Sequence, residues 1–127
     1  MSYAQDSAVF VEISSRLYEK SYFLPGSDCI LFTGASIDCG GVSYGRMKAK
    51  LPPDFKSKAY YAHRLAVMAH RLTVLDKTTE VSHLCCHSLC INPHHLSIEP
   101  HNINLNRRSC QSHRHCNGHG DYPNCYV

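Results

Sequence analysis

The chain has 127 residues and is 43 % hydrophobic, yet it contains no Trp and only four Phe, so its core can be only modest. A small domain with a thin core needs staples, and eight Cys and ten His are the residues available to supply them. The formal charge of +3 excludes strong global attraction to a polyanion: two filled sites of three thiolates and one neutral His, each about −1, bring the net charge to about +1, and any phosphate affinity must come from local clusters of Lys and Arg.

Residues 1–8 are polar and include Asp6, and no apolar signal-peptide core or membrane-length run follows. The cysteines also stand among histidines, which a disulfide framework does not require. These features favour zinc over disulfides and a reducing intracellular compartment, nuclear or cytoplasmic, with no membrane partner. A secreted disulfide domain is the competing expectation.

In chain order, Phe10, Ile13 and Leu17 recur with helical spacing and predict a helix over residues 6–20. Pro25 to Asp28 breaks it. Cys29 to Thr33 is an apolar run that predicts a short buried strand, and Gly40-Gly41 predicts a turn. Residues 42–50 alternate, with Tyr44, Arg46, Lys48 and Lys50 on one face and Ser43, Gly45, Met47 and Ala49 on the other. This pattern fits either a basic ribbon that meets nucleic acid or an edge strand protected by charge. Tyr61, Leu65, Met68, Leu72 and Leu75 make an apolar stripe that predicts a helix over residues 56–75, with Lys58, His63, Arg64, His70 and Arg71 off the stripe. Glu80 to Leu84 and Leu96 to Ile98 predict two short strands, and Pro100 opens a helix running to Arg107 or Arg108. The tail from Cys110 lacks apolar periodicity and should need a ligand to fold.

Two sets of metal ligands are legible. Cys85, Cys90 and His95 have zinc-type spacing and need a fourth donor; Cys29 is favoured over Cys39 and Cys86 because it opens a buried strand. Cys110, Cys116, His119 and Cys125 form a second set, in which His113 and His115 compete with His119. Ahead of the first loop stands Ser82-His83-Leu84-Cys85. In a strand, His83 and Cys85 point the same way, so a metal-anchored Cys85 would fix the strand that displays His83. A neutral imidazole can take a proton from water near neutral pH. Asn104, on the following helix, offers a hard oxygen suited to Mg²⁺. Together they suggest a single-metal phosphodiesterase site.

At Ser82-His83-Leu84-Cys85, the Cys90-Ile91-Asn92-Pro93-His94-His95-Leu96 segment and Asn104, the sequence resembles the His-Cys box group of ββα-metal (His-Me finger) nucleases, which includes nuclear-intron homing endonucleases. The resemblance is close over residues 81–125 and looser over residues 29–50. It implies an α+β fold: a small zinc-stapled domain with a twisted antiparallel sheet, flanking helices and a ββα-metal catalytic motif. One domain over residues 1–127 would divide into helix, ribbon and central helix (1–78), the ββα motif (79–109) and a zinc tail (110–127). The resemblance implies that His83 activates the attacking water, that Asn104 holds one catalytic Mg²⁺, and that both zinc ions are structural. Lys58, or failing it Arg64, would neutralise charge developing on the phosphate. Tyr44, Arg46, Lys48 and Lys50 would lie in the major groove of double-stranded DNA, with Arg107 and Arg108 on phosphates. Monomer and homodimer both stay open, as does low sequence specificity. A non-catalytic zinc module that binds nucleic acid is the alternative function.

Overall fold

The computed structural model describes residues 3–126. Among these, α1 spans Tyr3–Glu19 and leads into two strands, β1 (Ser21–Phe23) and β2 (Ile30–Phe32), which pair antiparallel. A three-stranded antiparallel sheet follows, with β4 (Val42–Lys50) between β3 (Ser36–Cys39) and β5 (Ser57–Tyr61). Helix α2 (Ala62–Arg71) continues directly from β5. The remaining elements are β6 (Glu80–His83), a 3-10 turn at Pro93–His95, β7 (Leu96–Glu99) and α3 (His101–His113). Helices and antiparallel strands segregate in the α+β manner, but the expected single twisted sheet is divided into three small ones among the described residues.

The core lies between α1, α2 and β4. Phe10, Ile13 and Leu17 of α1 are buried against Leu65 and Met68 of α2 and against Met47 and Ala49 of β4. Burying each large apolar side chain stabilises the fold by about 1.5–3 kcal/mol. Gly45 falls where a Cβ would come within 2.5 Å of the Phe32 ring, so a side chain there would expel Phe32 from this cluster. The alternation read in residues 42–50 is present: Gly45, Met47 and Ala49 are buried, while Lys48 and Lys50 are exposed. β3 pairs with residues 42–45 and β5 with residues 46–50, so Lys48 and Lys50 lie where β4 has a partner strand on one side only, and charge protecting an open edge accounts for them as well as a nucleic-acid ribbon does.

Several elements differ from the sequence reading: β1 and β3 have no counterpart in it, and the largest boundary changes fall around α2 and α3. The predicted helix over 56–75 is a strand followed by a shorter helix. Residues 57–61 pair with β4 in the register Ala49↔Lys58 and Met47↔Tyr60. Cross-strand packing of Tyr60 and the ladder hydrogen bonds outweigh the helical stripe there. Leu72 is the left-handed C-cap of α2 at φ 55 and is 55 % exposed, so it ends the stripe. Helix α3 runs past Arg108 to His113, and Arg114 caps it in the left-handed region at φ 53. Cys110 is therefore a helical residue and not the start of an irregular tail.

Candidate metal centres and active-site cavity

Backbone hydrogen bonds determine which cysteine completes the first metal set. The Phe32 amide donates to the Leu89 carbonyl (2.9 Å) and the Ile91 amide to the Ile30 carbonyl (2.7 Å), which lays β2 along the Cys85–His95 loop. Cys29, immediately before β2, is thereby brought to the loop. Cys29, Cys85, Cys90 and His95 bring four donor atoms within 4.8 Å of one another. Zinc–sulfur and zinc–nitrogen bonds of about 2.3 and 2.0–2.1 Å at tetrahedral angles require a sulfur–nitrogen edge of roughly 3.6 Å. His95 Nδ1 lies 3.5 Å from Cys29 Sγ and 3.6 Å from Cys90 Sγ. Cys39 and Cys86 are exposed and outside the set, and Cys39 Sγ lies 3.8 Å from the Tyr61 hydroxyl.

The second set is Cys110, Cys116, His119 and Cys125. His119 Nε2 lies 3.4 Å from both Cys110 Sγ and Cys125 Sγ, again an edge of the size a tetrahedral zinc site demands. His113 bonds the Ser109 carbonyl and His115 bonds Asn117, so neither competing histidine joins the set. The donor chemistry and spacing of both clusters fit structural zinc.

In the first cluster, the hydrogen bond from Cys85 pulls the Cys90 thiol down to about 5, while the same contact pushes Cys85 up. One thiol thus ionises readily, and metal binding must expel the remaining protons. In the second cluster, burial pushes the Cys125 thiol up to about 11, opposed by Arg107, whose Nη1 donates to Cys125 Sγ at 3.2 Å. Tyr126 links the two centres. Its amide donates to the Leu84 carbonyl (2.7 Å), its hydroxyl donates to the His94 carbonyl (3.1 Å), and its ring meets His95 edge-on at 5.2 Å.

A cavity of about 810 Å³ opens between β4, the start of α2, β6 and α3. His83 and Asn104 both line it. Antiparallel pairing of β6 with β7 places His83 opposite Leu96, and α3 then returns along β6. His83 Nε2 lies 3.2 Å from the carbonyl oxygen of Cys90. A carbonyl can only accept, so Nε2 carries the hydrogen and Nδ1 keeps the basic lone pair. Burial lowers the His83 pKa to about 4, against a raising contribution from the Cys90 carbonyl, so the ring is neutral near neutral pH.

Asn104 Nδ2 donates to Glu80 Oε1 at 2.8 Å. The ionised carboxylate has no proton to give, which orients the amide and leaves Oδ1 free as a hard oxygen donor. Glu80 also accepts from His101 Nδ1 at 2.7 Å. Hydrogen bonds from Asn104 and then His101 hold the Glu80 carboxyl below its ordinary range.

The sequence reading missed His63. It lies in the first turn of α2, buried, with its ring 4.5 Å from that of His83 and nearly parallel to Tyr61 at 5.6 Å. Its Nδ1 is buried without a protein partner, and burial, with smaller contributions from His83 and Arg64, holds its pKa well below the usual value. The strand-to-helix switch at Tyr61 is what brings His63 to the cavity, and a continuous helix over 56–75 conceals it.

The expected charge neutralisers separate. Lys58 is an exposed residue of β5, 4.0 Å from Asp54, and does not line the cavity. Arg64 does line it, tethered to the carbonyls of Thr79 and Asp76. The expected nucleic-acid contacts divide as well. Tyr44 lines the cavity, and Lys48 and Lys50 lie exposed on the outer face of β4. Arg108 is exposed and lines the cavity too. Arg107 is only 1 % exposed, with Nε 2.8 Å from both oxygens of buried Glu99. Arg107 therefore cannot touch DNA; the charge is used inside, between a carboxylate and a zinc-type thiol.

A small α+β chain whose strand–loop–strand–helix unit carries one Cys₃His cluster and is followed by a second defines a zinc-stapled protein. Residues 35–125 match the family model described as the zinc-binding loop region of homing endonuclease, and the chain belongs to that family. No curated protein and no solved structure gave a match. No helix among the described residues is long and apolar enough to cross a membrane.

Proposed function

We propose that the protein is a Mg²⁺-dependent endonuclease that hydrolyses phosphodiester bonds of DNA. The observation that carries this reading is the convergence of His83 and Asn104 on one cavity, each oriented by a partner with a single hydrogen-bonding role. His83 Nδ1 accepts a proton from water as the water oxygen attacks phosphorus. The bond from phosphorus to the departing 3′ oxygen breaks and that oxygen takes a proton from solvent, leaving a 5′ phosphate and a 3′ hydroxyl. Asn104 Oδ1 would hold the magnesium ion, whose chemistry there is Lewis-acid stabilisation of charge on the phosphate and the departing oxygen. Arg64 and Arg108, both lining the cavity, supply positive charge for the phosphates, with Arg64 taking the role first expected of Lys58.

Arg46, Lys48 and Lys50, with Arg108, are the local basic cluster for double-stranded DNA, since the net charge supplies little attraction. Plasmid incubated with the purified chain, with and without Mg²⁺, tests the reading. Nicking or linearisation that requires Mg²⁺ supports it, whereas salt-sensitive binding without cleavage would reduce the protein to a zinc-dependent DNA-binding module.

A further inference from the structure

Cavity residues beyond the proposed chemistry suggest what lies beside the cleaved bond. Tyr44 and Tyr61 form one wall, with ring centroids 5.5 Å apart and planes tilted by 56°. They project from adjacent strands, β4 and β5, near the register pair Arg46↔Tyr61. Tyr61 is 37 % exposed, and one of its faces lies against His63. Its hydroxyl lies 3.8 Å from Cys39 Sγ, a contact at the rim of the ring. Tyr44 is half-buried with its ring centroid 6.4 Å from that of His83. The cavity, about 810 Å³, exceeds the needs of a phosphate alone.

In an intact duplex both faces of every base are covered by stacking, so a tyrosine wall beside a phosphodiester site has nothing flat to meet. An unpaired base does present a face, and aromatic stacking is the usual way proteins hold one, independent of base identity. Arg64 and Arg108 on the same cavity supply the accompanying positive charge.

The geometry points to a base-stacking subsite on Tyr44 and Tyr61, and so to a substrate class of DNA carrying an unpaired base next to the scissile phosphate. This rests on the nuclease reading of the same cavity. It adds a preference that neither the zinc clusters nor the His83–Asn104 pair implies.

The test is equilibrium binding by fluorescence anisotropy, with the full chain in magnesium-free buffer containing no chelator, so that zinc stays bound and nothing is cut. Three end-labelled duplexes are compared: fully paired, with a one-nucleotide bulge, and with the same bulge lacking its base. Stacking of one base is expected to tighten binding of the bulged duplex about tenfold or more over the abasic one. Tyr61→Leu should erase that difference and Tyr61→Phe should keep it, each with its zinc content verified. Equal affinity for the bulged and abasic duplexes in the wild type overturns the subsite, and this comparison requires no variant to fold. Retention of the difference in a zinc-replete Tyr61→Leu protein overturns it as well. A parallel plasmid assay separates the two ideas: cleavage without base preference removes the subsite alone, and base preference without cleavage removes the nuclease reading alone.

Discussion

The imidazole of His83 is tied to Cys90, whose carbonyl oxygen lies 3.2 Å from Nε2 and whose thiol belongs to the first zinc cluster. One residue thus serves as metal ligand through its side chain and as orienter of the proposed base through its backbone. The zinc-anchored loop fixes which ring nitrogen is basic, and it does so without placing a carboxylate beside the ring. His83 therefore keeps a low affinity for protons, set by burial and opposed by a single neutral acceptor.

Replacing His83 by Ala removes the base while leaving the Cys90 carbonyl bound within the loop. Cleavage of plasmid in Mg²⁺ is expected to fall by roughly 10²–10⁴-fold. Zinc content and far-ultraviolet circular dichroism should match the wild type, because His83 is not a member of either cluster. A zinc-replete variant that cuts at the wild-type rate would remove His83 from the mechanism.

Glu80 provides a second handle on the same chemistry. Its Oε1 accepts from Asn104 Nδ2 and so orients the amide whose Oδ1 would hold the metal. Losing an outer partner of this kind typically weakens metal affinity by about 10–100-fold. Glu80→Ala should raise the Mg²⁺ concentration for half-maximal cleavage by that order, while the rate at saturating Mg²⁺ changes less. Asn104→Ala should lower the rate at every Mg²⁺ concentration. Titration of the two variants side by side distinguishes an orienting residue from a ligand.

Zinc removal tests how the fold is held. Apparent zinc affinities in finger peptides, about 10–16 kcal/mol, rival the total stability of a domain, about 5–15 kcal/mol. Chelation should therefore collapse the circular dichroism signal and not merely stop activity. Cys39→Ser and Cys86→Ser, at exposed positions outside both clusters, should retain the wild-type zinc content. Cys85→Ser and Cys116→Ser should each lose one equivalent from their own cluster, measured by elemental analysis.

The local chemistry of this site was legible because ligand spacing and strand parity are properties of adjacent residues. Cys85, Cys90 and His95 lie in one loop, and the place of Cys29 at the start of an apolar run marks it as the fourth donor. What was not legible depends on contacts between distant segments. Residues 57–61 carry a helical apolar spacing, yet pairing with β4 makes them a strand, and His63 follows in the first turn of α2 beside His83. Arg107 next to Arg108 looks like a phosphate contact until Glu99 and Cys125 are known to enclose it. Lys58 and Arg64 are both basic residues ahead of β6, and only the three-dimensional arrangement separates them.

Acid should weaken the fold through the two facing imidazoles. His63 and His83 face each other together with Tyr44, Tyr61 and Arg64, and burial lowers both imidazole pKa values. Between the ordinary value of 6.5 and the lowered value of about 4 for His83, the unfolded chain binds more protons than the folded one. Stability is thus fully present above about 6.5 and is lost as the pH falls toward about 4. His63→Gln removes one of the two titrations, so its thermal midpoint should decline less steeply than that of the wild type from pH 7 to pH 5. The comparison is made at equal zinc saturation, because thiolate protonation adds its own acid sensitivity to both proteins. Parallel declines would mean that His63 takes up its proton equally in the folded and the unfolded chain, so that burial does not lower its pKa.

Arg107 and Glu99 test whether a buried ion pair can serve a metal centre. Both are almost fully enclosed, and Arg107 also donates to Cys125 of the second cluster. Arg107→Met leaves the Glu99 carboxylate buried without its cation, which typically costs about 3–5 kcal/mol. Adding Glu99→Met should recover much of that loss in urea unfolding, since apolar replacement of a buried pair is often neutral or stabilising. It should not restore zinc affinity at the second cluster, because three thiolates around one zinc carry about one surplus negative charge and the guanidinium beside Cys125 compensates it. Competitive zinc titration of the double variant against the wild type reads that difference directly. Recovery of stability with a persistent deficit in zinc affinity would assign Arg107 to the metal centre, whereas recovery of both would make it only a partner for Glu99.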